Sequence, residues 1–163
     1  MKKYKVGVVT GKFMPPHIGH AELIERAHGF CDVLYVVLAE RFSDECSESK
    51  WLKGGETRLG WMKEYWKDNK SIKFLYMNHG DLPPRPHGTE QWCQRLKDLI
   101  GVKIDARFFG CEDYLQMNEF FLDCDSVLIR RGVDSVDISA TKIRENPEEY
   151  SKYIIATVKN VDY

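Results

Sequence analysis

Near the amino terminus, Gly11-Lys12-Phe13-Met14-Pro15-Pro16-His17-Ile18-Gly19-His20 brings together residue types suited to chemistry on phosphates. Gly11 allows a sharp turn, and Pro15 and Pro16 stiffen the loop ahead of a helix. His17 and His20 are three positions apart, so on a helix they share one face at its first turn. At such a place unpaired backbone N–H groups and the positive end of the helix dipole form an anion site. Two imidazoles beside it can donate hydrogen bonds to phosphate oxygens, and Gly19 lets a nucleotide approach the backbone closely. The same pair could bind a metal, but no Asp, Glu or Cys stands close by to complete the set. Incidental surface histidines are the third reading, which leaves the Gly and Pro-Pro framing without a reason.

A second group lies far downstream in Ile138-Ser139-Ala140-Thr141-Lys142-Ile143-Arg144. If a helix begins here, the Ser139 hydroxyl and neighbouring amides can hold terminal phosphate oxygens, and Arg144 adds a planar cation one turn later. The plainer alternative is that Ser139 is an N-cap and Arg144 a solvated charge.

The first run resembles the Gly-x-Phe-x-Pro-x-His-x-Gly-His signature of the nucleotidylyltransferase superfamily, with every fixed position present. The second resembles that superfamily's Ile-Ser-x-Thr-x-x-Arg element. Within the superfamily the chain is most similar to the nicotinamide mononucleotide (NMN) adenylyltransferase domain of NadR-type proteins. Supporting residues are Gly11-Lys12-Phe13, Pro86-His87-Gly88 with Trp92 four positions on, and Ile143-Arg144-Glu145-Asn146-Pro147 followed by Tyr150 and Tyr153. The resemblance covers nearly the whole chain. It departs at Thr57-Arg58, where relatives usually read Asp-Arg, and at Ala140, where glycine is common. No phosphate-binding Gly-x-x-x-x-Gly-Lys-Ser/Thr loop and no preceding helix-turn-helix are present, so neither a kinase nor a DNA-regulatory role is expected of this polypeptide.

The reaction this resemblance implies is ATP plus NMN giving NAD and pyrophosphate, by in-line attack of the NMN phosphate on the α-phosphorus. His17, His20, Lys12 and Arg144 become the catalytic candidates, and Gly11, Phe13, Gly19, Ser139 and Thr141 the ATP-binding ones. For the acceptor the candidates are Arg58, Trp92 and His87. Trp92 has two readings, a platform stacked on the cationic nicotinamide ring or a core aromatic. Arg58 likewise either holds the NMN phosphate or is a solvated surface charge. Mg²⁺ is the expected cofactor, carried mainly by phosphates and water with no protein ligand. Rivals are a phospho-alcohol cytidylyltransferase, which Lys142 keeps open, a phosphopantetheine adenylyltransferase, and a non-catalytic nucleotide sensor.

These groups need a scaffold, and strand-like and helix-like runs alternate along the chain. Residues 5–10, 32–39, 72–77, 106–110 and 126–130 read as short, mostly apolar strands. Helices are expected over 18–30, 57–67, 89–100 with Thr89 as cap, 112–121, 139–144 and from Asn146-Pro147-Glu148-Glu149 onward. Residues 40–55 and the proline-rich 78–88 read as loops. The pattern predicts a single α/β domain over 1–163, Rossmann-like, with a five-stranded parallel sheet and helices on both faces. Ligands then bind at the carboxyl ends of the strands, where strand order reverses.

The 24 basic and 25 acidic residues nearly cancel, so broad attraction to nucleic acid or an anionic membrane is not expected. No apolar run reaches the ~18 residues of a membrane span, and the amino terminus lacks a signal peptide's long apolar stretch. The cysteines (Cys31, Cys46, Cys93, Cys111, Cys124) are odd in number and lie at least 13 positions apart, which fits buried thiols in a cytoplasmic protein. A homo-oligomer is compatible with all of this.

Overall fold

A computed structural model describes residues 2–41, 54–130 and 137–158. The strands are β1 (Tyr4–Gly11), β2 (Cys31–Glu40), β3 (Ile72–Asn78), β4 (Ala106–Phe109) and β5 (Asp125–Leu128). The α-helices are α1 (Ile18–Gly29), α2 (Gly55–Tyr65), α3 (Thr89–Ile100), α4 (Ala140–Glu145) and α5 (Pro147–Tyr150). All strand pairings are parallel and the order is β3-β2-β1-β4-β5. The fold is therefore the expected α/β, Rossmann-like one. Strand order reverses between β1 and β4, which places the predicted binding edge at the Thr10–Lys12 turn and at Phe109-Gly110-Cys111.

β1 is central because its apolar residues alternate between two cores. Val9 joins Ile24, Leu34, Leu38 and Met62 on the face covered by α1 and α2. Val8 joins Val37, Cys93, Leu96 and Phe121 on the face covered by α3. A third, smaller cluster of Met14, Ile138 and Ile143 fastens α4 onto the β1–α1 loop. Residues near the end of the described chain reinforce this, since Ile155 N–H donates to the Pro16 carbonyl and His17 bridges Ile154.

Several local expectations need correction. Thr89 is the first helical residue of α3; the N-cap is Gly88, and no side chain caps that end. A Cβ at Gly88 would fall 1.9 Å from the Pro83 carbonyl oxygen, so the proline-rich loop closes tightly on it and a larger cap residue has no room. The segment expected as a helix over 112–121 is helical over Glu112–Phe120, in the 3₁₀ form. Helix α2 starts two residues earlier than expected because the Glu40 carboxylate accepts the Gly55 N–H. Glu40 itself is the last residue of β2, and 42–53 of the expected loop, Cys46 included, lie outside the described residues. Cys31 and Cys93 are buried thiols, whereas Cys111 is exposed.

Candidate active site

The β1–α1 loop is held in a demanding conformation. Phe13 has φ +50°, a left-handed value that costs a non-glycine residue about 1 kcal/mol, and is nearly fully buried with its ring edge-on to His20 at 4.8 Å. His17 is extended, not helical, and its Nδ1 accepts from the Gly19 and His20 backbone N–H groups at 3.1 and 3.3 Å. His20 Nδ1 in turn accepts the His17 N–H at 3.1 Å, and the two rings stack 3.6 Å apart. Two imidazoles thus form a reciprocal capping box, and with Nδ1 accepting, each neutral ring carries its proton on Nε2.

This corrects the expected anion site. The first N–H groups of α1 are taken by histidine nitrogens, and His17 is fully buried and absent from the cavity walls. Gly19 is needed for packing: a Cβ there would meet His17 Cε1 at 2.9 Å and Ile138 Cγ2 at 3.0 Å. His20 is the histidine that lines a cavity.

The second motif is brought against the first. Ser139 caps α4, accepting the Lys142 N–H at 3.2 Å, as read from the sequence. Arg144 donates from Nη1 to the Met14 carbonyl at 2.7 Å and from Nη2 to Thr141 Oγ1 at 3.3 Å, so its fork is aimed by both motifs.

Two cavities open at the strand carboxyl ends. One, of about 290 Å³, is lined by Lys12, Phe13, His20, Ser139, Thr141 and Arg144 among others. Its neighbour, of about 280 Å³, includes Lys12, Arg41, His79, Arg85, Trp92 and Tyr114. Thr10, Gly11, Lys12 and Tyr114 line both, so the cavities share a wall. Among the described residues neither wall contains an Asp or Glu, and both are cationic. Burial, with help from the Arg41, Lys12 and Arg85 charges, pushes the His79 pKa below its ordinary value, so that imidazole is uncharged at neutral pH.

Of the acceptor candidates, Trp92 is placed in the second cavity, half-buried and edge-on to His79 at 6.2 Å. His87 is exposed and lines neither cavity. Arg58 is neither a solvated charge nor a cavity residue: it is fully buried, with Nη2 2.8 Å from Glu40 Oε2 and Nε donating to the Lys12 carbonyl at 3.3 Å. The early start of α2 turns position 58 inward, and Glu40 supplies the anion that makes its burial tolerable. Sequence reading missed Arg41, His79, Arg85, Tyr114 and Glu40. Arg41 and His79 directly follow β2 and β3, so the rule that ligands gather at strand carboxyl ends would have found them.

No protein-family model matches the chain. It is 31% identical to the trifunctional NAD biosynthesis/regulator protein NadR of Escherichia coli (strain K12) over 97% of its own length and 40% of that protein's. It is 28% identical to a probable nicotinate-nucleotide adenylyltransferase of Sulfurimonas denitrificans, over 86% of this chain and 84% of that one. Among solved structures, a NadR protein in complex with NR superposes with a TM-score of 0.72 at 25% identity, over 94% of this chain and 43% of the other. By fold and by these similarities, the chain is similar to nucleotidylyltransferases. Among these, the similarity is to NadR-type proteins, of whose length the chain spans about two fifths.

Proposed function

We propose that this chain is an adenylyltransferase of NAD biosynthesis, joining ATP to NMN to give NAD and pyrophosphate. The observation that carries the reading is the pair of cationic cavities meeting at Thr10-Gly11-Lys12 and Tyr114. ATP occupies the cavity of His20, Ser139 and Arg144, and the mononucleotide occupies that of Trp92, with its phosphate toward the shared wall. An acceptor phosphate is already an anion at neutral pH, so the transfer needs no protein base and no covalent nucleophile. Catalysis then consists of alignment and of neutralising charge at the α-phosphate and the leaving pyrophosphate. Lys12 faces both cavities and bridges the reacting phosphates; the His20 Nε2–H and the Arg144 fork serve the ATP side. His17 acts by holding the loop. Arg41 and Arg85, rather than Arg58, receive the acceptor phosphate.

Mg²⁺ fits this donor set as a substrate-borne ion, since among the described residues the walls offer no carboxylate; when bound it would add positive charge at the pyrophosphate. The similarity to NadR-type proteins favours NMN. The cationic lining of the acceptor cavity favours a second reading, nicotinate mononucleotide, whose extra carboxylate Arg41 or Arg85 could meet. Pyrophosphate release measured over a panel of NMN, nicotinate mononucleotide, phosphopantetheine and phospho-alcohols, with ATP and CTP, decides the matter. The expected result is fastest release with ATP and NMN, abolished by EDTA. Turnover confined to a phospho-alcohol or phosphopantetheine would sink the reading.

A further inference from the structure

A buried polar cluster lies directly behind the shared wall, and the transfer chemistry does not call on it. Glu40, at the end of β2, is gripped by three donors from two elements, β3 and α2. Its Oε1 accepts the Tyr76 hydroxyl of β3 at 2.5 Å and the Gly55 N–H at 3.1 Å, and its Oε2 accepts Arg58 Nη2 of α2 at 2.8 Å. Burial pushes the Glu40 carboxyl up, but these donors outweigh it and hold the group below the usual carboxylate range. The fully buried Arg58 then spends its Nε on the Lys12 carbonyl at 3.3 Å, while its Nη1 has no partner among the described residues.

A buried ion pair with an unsatisfied donor is a poor stabiliser, and apolar side chains of similar volume often do as well. Its particular effect here is on one peptide group. The plane between Lys12 and Phe13 sets ψ of Lys12 and φ of Phe13, and Phe13 sits at the strained value of +50°. Without the Arg58 contact on the Lys12 carbonyl, ψ of Lys12 and φ of Phe13 are free to relax from the strained value, shifting the backbone from which the Lys12 side chain reaches the shared wall. We propose that Arg58, held in place by Glu40, is a positioning residue that locks the Lys12–Phe13 peptide and so fixes the Lys12 ammonium between the two substrates. The inference rests on the adenylyltransferase reading.

The test is a cycle of full-length variants: wild type, Lys12→Ala, the charge-free pair Glu40→Gln/Arg58→Met, and the three changes combined. Removing the pair lowers kcat at least tenfold, the scale on which misplacing a catalytic group costs rate, while the thermal midpoint changes by only a few degrees. In the Lys12→Ala background the same removal lowers kcat less than twofold, because there is no ammonium left to misplace. Equal losses in both backgrounds, or an unchanged kcat in the pair-free protein, overturn the proposal. Should the pair-free protein not fold, Arg58→Lys, which keeps the charge but loses the fork that reaches both partners, is read in the same cycle. A wild type that releases no pyrophosphate with any acceptor overturns the function reading alone. The cycle is then run on the ATP dissociation constant, where additive losses overturn the positioning role.

Discussion

Trp92 shows how far a single residue type can be read. The sequence reads it as a stacking platform or a core aromatic, and the structure gives it both surroundings: it packs against the core cluster that includes Cys93, Leu96 and Met117, and it lines the cavity of Arg41 and His79. A cationic ring on the indole face gains roughly 0.5–2 kcal/mol. Trp92→Ala should therefore raise the KM for NMN by a factor of about two to thirty and leave that for ATP nearly unchanged. Binding of NMN should quench tryptophan fluorescence less in that variant; equal shifts in both KM values would remove Trp92 from the acceptor site. Arg58 marks the limit of the same kind of reading. Its burial depends on Glu40, eighteen positions earlier, and on where α2 begins, and neither is written in the residues next to it. Both signature segments were legible because their glycines, prolines and histidines are needed locally. Arg41, His79, Arg85 and Tyr114 were not, because ordinary residue types become site residues only through where their strands end.

At the level of elements, the beginning of α1 is the informative case. The three-residue spacing of the histidines suggested one helical face, but the helix begins at Ile18, as expected, and leaves His17 outside it as the cap. The two histidines should consequently fail in different ways. His20→Ala should cut turnover by roughly 10²–10³, the usual loss for one transition-state donor. His17→Ala should act first on stability, by about 2–4 kcal/mol, through a lost cap and an emptied buried site. His17→Asn, whose side-chain oxygen can accept the same two N–H groups, should recover part of that loss. Urea unfolding and steady-state rates on the three proteins separate these effects; a stable His17→Ala with turnover as low as that of His20→Ala would contradict the division. Strand positions and the parallel sheet were legible from the apolar runs, whereas the 3₁₀ geometry of Glu112–Phe120 was not, since an amphipathic run of that length does not distinguish the two helix types.

For the molecule as a whole, two buried-side imidazoles make stability depend on acidity. Burial lowers the pKa of His28, assisted by Lys2, and that of His79, assisted by Arg41 and Lys12. In each case the folded value lies below the ~6.5 of the unfolded chain, so unfolding takes up protons. Their contribution is therefore fully present above about pH 6.5 and declines as pH falls toward the folded values, by at most about 1.4 kcal/mol per pH unit for each group. Urea unfolding at pH 7.5 and 5.5, at fixed ionic strength, should show the lower stability at pH 5.5, with a smaller difference in His28→Gln. Greater stability at pH 5.5 would refute the assignment. The strand order has a further consequence through the wall it creates. Because Lys12 and Tyr114 border both cavities, a molecule filling one lies end to end with a molecule filling the other. Once two such ligands are covalently joined, each half raises the effective concentration of the other at its own anchorage, and both must let go together. If this chain joins its two ligands, the product should thus be held more firmly than either half.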